Sequence, residues 1–82
     1  MSVFLAWATT PVDPETSGPW EELRPVGPDL VLVLSDHTLS VVYHNLKWSL
    51  PEQAGLIVAP LRELPKLKGL PPGTQTWLRD HL

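Results

Sequence analysis

Residues 30–34 read Leu-Val-Leu-Val-Leu. Five consecutive apolar residues leave no polar side for water, and the two valines favour an extended chain. A strand with that pattern must be covered on both faces, which places it at the centre of a sheet.

Little chain is left to cover it. The sequence has 82 residues, the size of one domain spanning 1–82. A chain this short buries somewhere between about 60% and 70% of the surface its unfolded form exposes. Two devices can compensate for the thin core: loops stiffened by proline, or burial against a second copy. Ten prolines are present, nearly all between apolar runs, where each narrows the unfolded ensemble. Cysteine is absent, and the thermolabile amides are Asn45, Gln53 and Gln75. That composition points to a thermophilic source, although high genomic GC content produces the same bias.

The flanking segments supply further elements. Val3–Ala8 is a short apolar run that stops at Thr9-Thr10-Pro11 and reads as a first strand. Ser17-Gly18-Pro19-Trp20-Glu21-Glu22-Leu23 carries helix-start chemistry: small residues to cap, an early proline and two carboxylates in the first turn. It predicts a helix of one or two turns before Pro25. Ser35-Asp36-His37-Thr38 reads as a tight turn, so residues 30–48 are expected to form a β-hairpin. The apolar phase of the second arm shifts between Leu39-Val41-Tyr43 and Leu46-Trp48-Leu50, and a bulge near His44-Asn45 would reset it. Residues 55–59 predict another strand. Leu61, Leu64, Leu67 and Leu70 recur every three residues, but Pro65 and Gly69 exclude one helix; this stretch is expected to be irregular and to pin its leucines on the core. Residues 75–82 predict a terminal helix capped by Thr74, with Leu78 and Leu82 on one face.

The link of about twenty residues between the first two strands is long enough for a crossover, so those strands could run parallel. The expected fold is α+β: a two-layer sandwich with helices on one face. Its sheet is mixed but mostly antiparallel, of about four strands, with one short and one C-terminal helix. This layout resembles a ferredoxin-like fold with one helix displaced. A small half-open β-barrel is the alternative.

Chemical constellations are sparse. Without cysteine there is no disulfide frame, thiol nucleophile or thiolate metal site. His37 and His44 lie seven apart, a spacing unsuited to paired ligands on a strand, and no zinc signature occurs; no metal site and no cofactor is expected. Ser35-Asp36-His37 contains the triad residue types in a row, but adjacent side chains cannot converge on one another. Only Tyr43, His44, Lys47 and Trp48 mix titratable and aromatic groups on one segment. In a cleft, His44 could act as a base with Tyr43 or Lys47 as polariser, as in a small dimeric α+β isomerase or monooxygenase.

Charge and aromatic content favour a protein partner instead. The net charge is −3, and the basic patch Arg62, Lys66, Lys68 has no aromatic neighbours for stacking bases, so nucleic acid is not an expected ligand. Residues 1–41 carry six carboxylates against Arg24 alone, whereas residues 42–82 carry five cations against three carboxylates. Halves so polarised can pair within a chain or between chains. The four tryptophans, Trp7, Trp20, Trp48 and Trp77, are candidate interface residues, because tryptophan is enriched in protein contacts. No apolar stretch approaches the length of a membrane span and no export signal pattern is present, so a cytoplasmic location is the default expectation. Together these features suggest a non-enzymatic, self-associating interaction domain, most simply a symmetric homodimer. A regulator binding another protein through its acidic first half is a further possibility.

Overall fold

A computed structural model describes all of residues 1–82. Six elements follow in order: β1 (Ser2–Ala8), β2 (Glu22–Pro25), β3 (Leu30–Ser35), α1 (Leu39–Ser49), β4 (Leu56–Leu61) and α2 (Thr74–His81). The strands form an open four-stranded sheet in the order β2-β3-β1-β4. Every neighbouring pair is antiparallel. The fold is thus α+β, and the sheet does not close into a barrel.

The apolar run of β3 does what its composition requires. Val31 and Val33 join Phe4, Ala6, Leu23, Val42 and Leu46 in one core. Leu32 and Leu34 join Val3, Val26, Trp77 and Leu78 in a second core. Side chains alternate across a strand, so the two cores lie on opposite faces of one sheet. The helices accordingly take opposite faces, α1 on the first core and α2 on the second, rather than sharing one face as expected.

The expected crossover also moves. Strands β3 and β4 both run antiparallel to β1, which lies between them, so they are parallel to each other and need a long connection. Helix α1 is that connection. Its eleven residues span about 16 Å, close to the roughly 20 Å of a six-residue strand. Strands β1 and β3, which the length of their link would have allowed to run parallel, are antiparallel neighbours.

Two segments differ from their predicted structure. Residues 39–48, read as the second arm of a hairpin with a bulge at His44-Asn45, are helical, and there is no bulge. Thr38 caps the helix: its Oγ1 accepts from the Val41 amide at 3.3 Å and its carbonyl accepts from Val42 N–H at 3.0 Å. Val42 and Leu46, one turn apart, are fully buried, and Pro51 follows the last turn. Residues 17–23, read as a short helix, instead lead into β2, which pairs with β3 from Glu22↔Leu34 to Pro25↔Val31. The exposed edge of β3 needs a partner, and tertiary pairing overrides the local helix-start signal. The Ser35 hydroxyl fixes this corner by donating to the Pro19 carbonyl while accepting from the His37 amide.

Strand β4 and helix α2 stand where expected. Thr74 is the first residue of α2 rather than its cap. Its hydroxyl donates to the Pro71 carbonyl at 2.7 Å, and Gly73, at φ 89°, occupies the cap position. That left-handed backbone is one a side-chain-bearing residue adopts only with strain. Leu61 at the end of β4, and Leu67 and Leu70 between β4 and α2, pack on the second core, whereas Leu64 remains exposed.

Leu46 fills the centre of the α1 core with no exposure, so Leu46→Ala is expected to lower unfolding free energy by about 2–5 kcal/mol. Chemical denaturation followed by circular dichroism measures it.

Candidate interaction surface

The two edges of the sheet are built differently. Strand β2 is four residues long and carries Glu22, Arg24 and Pro25. Short length, charge and proline are the devices that discourage another strand from adding to an edge. Strand β4 is six residues, Leu-Ile-Val-Ala-Pro-Leu, with no charge.

The direction of its free hydrogen-bonding groups follows from two bonds. Thr9 N–H donates to the Gly55 carbonyl at 3.0 Å and Ala8 N–H donates to the Asp29 carbonyl at 3.0 Å. Antiparallel ladders alternate strictly. Odd-numbered residues of β4 therefore bond to β1, and Leu56, Val58 and Pro60 turn their backbone groups outward. Pro60 thus costs the sheet no bond, the position at which an edge strand tolerates proline. The outer edge offers the amides of Leu56 and Val58 and the carbonyls of Leu56, Val58 and Pro60.

Apolar side chains flank this edge. On the α2 face, β1 and β4 set Trp7 opposite Ile57, and β1 and β3 set Trp7 opposite Leu30. Trp7 is 40% exposed and Ile57 62%, whereas Trp77 and Leu78 of α2 pack with Val3, Val26, Leu32 and Leu34. On the other face, Tyr43, Lys47 and Trp48 meet Leu50, Glu52 and Leu56 around an open hollow of about 310 Å³ beside the start of β4.

The tryptophans divide into two pairs. Trp48 is 71% exposed and, with Trp7, belongs to the open surface. Trp77 is buried; its indole N–H donates to Glu22 Oε1 at 3.0 Å, and the Arg24 guanidinium stands 5.8 Å from its ring. Trp20 packs half-buried on the α1 core, its indole N–H donating to the Thr16 carbonyl at 3.0 Å. A side chain at Gly18 would run into the Trp20 ring. Sequence composition cannot separate these pairs, because the division depends on which face each helix covers.

The candidate acid–base residues are only partly assembled. Tyr43 and Lys47 line the hollow, but His44 does not. His44 is exposed on α1, with Nδ1 2.7 Å from the Ser40 carbonyl; its ring meets Tyr43 edge-on and Trp48 at a tilt, with centroids 5.1 and 5.9 Å away. His37 and His81 border a separate groove at the far end of the sheet. No three histidine or carboxylate side chains gather closely enough to hold a metal ion. No helix is long and apolar enough to cross a membrane.

Compared with protein-family models, curated proteins and solved structures, the chain matches none.

The division of tryptophans is measurable. Trp77→Ala is expected to cost about 3–5 kcal/mol of folding stability, and Trp48→Ala no more than about 0.5 kcal/mol. Urea denaturation of the two variants compares them directly.

Proposed function

We propose that this chain is a non-enzymatic interaction domain that associates with a second copy of itself through the β4 edge. One observation carries the reading: the uncharged β4 edge keeps outward amides and carbonyls free beside exposed Ile57 and Trp7, whereas the opposite edge is short and charged. An antiparallel pair of identical edges is self-complementary about a two-fold axis, and strand addition is a common mode of recognition.

Size sets the expected strength. A six-residue strand is about 20 Å long, and the molecule measures 33 × 25 × 19 Å. A contact of roughly 20 by 25 Å covers about 500 Å² per partner, below the ~800 Å² of a standard stable interface. The association therefore belongs to the weak, micromolar class. Ile57→Lys is expected to weaken it at least tenfold, since burying an isoleucine contributes about 1.5–3 kcal/mol and a buried lysine opposes contact.

Sedimentation equilibrium from about 10 to 500 µM tests the proposal. The expected result is a mass rising from 9.1 kDa towards twice that value, and a lower mass for Ile57→Lys at each concentration. A single-chain mass across the whole range contradicts it.

A further inference from the structure

We infer that the hollow between the end of α1 and the start of β4 binds a small zwitterion bearing an aromatic ring, the chemistry of a free aromatic α-amino acid. The site lies on the α1 face of the sheet and needs only one copy of the chain.

The hollow encloses about 310 Å³, at the small end of the ~300–1,000 Å³ that ligand sites span. Half-buried Leu50 and Leu56 give it an apolar floor, and Tyr43 and Trp48 add two aromatic rings. Rings gain from edge and offset contacts with other rings beyond the area they bury. The lining therefore favours an aromatic group over an aliphatic chain of similar size.

Two charged side chains border the hollow, Lys47 and Glu52. Neither belongs to an ion pair: the two in the molecule join Met1 to Asp36 and Arg24 to Glu22. A ligand with only a negative charge suits Lys47 and is opposed by Glu52, and one with only a positive charge meets the reverse. A molecule carrying an ammonium and a carboxylate on one carbon gives each side chain its counter-charge at once.

His44 stiffens this arrangement from outside. Its Nδ1 donates to the Ser40 carbonyl at 2.7 Å. Its ring touches both aromatic side chains of the hollow, with centroids 5.1 Å from Tyr43 and 5.9 Å from Trp48. Anchored at one end and set against both rings, it narrows the rotamers they sample before a ligand arrives, which lowers the entropy cost of binding. His44 is thus a positioning residue for the hollow and not a contact to the ligand.

Nuclear magnetic resonance titration with L-phenylalanine tests the site, read at the Trp48 indole and at the Lys47, Glu52 and Leu56 amides. Saturable shifts are expected with a dissociation constant of about 2 mM, the value that ordinary ligand efficiency gives a molecule of that size. Phenylethylamine and 3-phenylpropionate, each lacking one charge, should bind about threefold to fivefold more weakly, and L-alanine, lacking the ring, at least about tenfold more weakly. Lys47→Met should abolish the preference over phenylethylamine, and Glu52→Gln the preference over 3-phenylpropionate. His44→Ala should weaken L-phenylalanine about threefold without changing the order of the four probes, and His44→Phe, which keeps the ring contacts, should recover most of that loss. Shifts that stay linear to about ten times the expected constant, equal shifts at the exposed Trp7 indole, or an order of probes indifferent to Lys47→Met and Glu52→Gln overturn the site. Parent-like affinity in His44→Ala, or no recovery in His44→Phe, overturns the positioning role of His44.

Discussion

Two-sided burial of β3 is the constraint from which the architecture follows. Val31 and Val33 require one apolar layer and Leu32 and Leu34 require another. A chain of 82 residues supplies both only by sending one helix to each face. Helix α1 does so as the crossover between β3 and β4. Helix α2 does so from the end of a proline-rich segment that lays Leu67 and Leu70 on the second core. Ten prolines make this irregular covering affordable, since each reduces the entropy lost when a loop is fixed.

The same economy explains the open edge. Helices of eleven and eight residues are enough for the middle of a four-stranded sheet but not for its whole α2 face. On that face Leu32 and Leu34 are buried, and the deficit falls where Ile57 and Trp7 meet water. The free amides and carbonyls of the edge are hydrated and cost nothing in an isolated chain. Exchanging water for a second strand gains only about 0.5–1.5 kcal/mol per hydrogen bond. Backbone pairing therefore supplies register, and the apolar flanks supply most of the affinity. Pro60 limits how far that pairing can extend, which keeps the edge from acting as an unrestricted template.

Much of this was legible in the sequence, and the failures have physical causes. The β3 run, β1, β4 and α2 follow from apolar continuity and from turn residues. Helix α1 was obscured because Leu39, Val41 and Tyr43 mimic period two over its first turn. The break in alternation near His44 was itself the helical signature: Val42, Leu46 and Leu50 recur at four, and Thr38 stands where a cap belongs. Residues 17–23 carry a sound local helix signal, and only the need of β3 for a second partner turns them towards β2. The site was legible in part. Sequence identified the tryptophans as interaction candidates, but it could not say that Trp7 and Trp48 are exposed while Trp77 is buried, nor that Tyr43 and Lys47 would share a hollow without His44. Those outcomes depend on helix facing, which no local pattern encodes.

Residue-resolved amide hydrogen exchange tests the account most directly. In dilute solution the β3 amides should be the slowest to exchange, opening only with global unfolding, while Leu56 and Val58 exchange nearly as fast as unstructured chain. Raising the concentration should slow those two amides selectively. Leu56 and Val58 protected as strongly as β3 at every dilution, or β3 exchanging as fast as the edge, would contradict it.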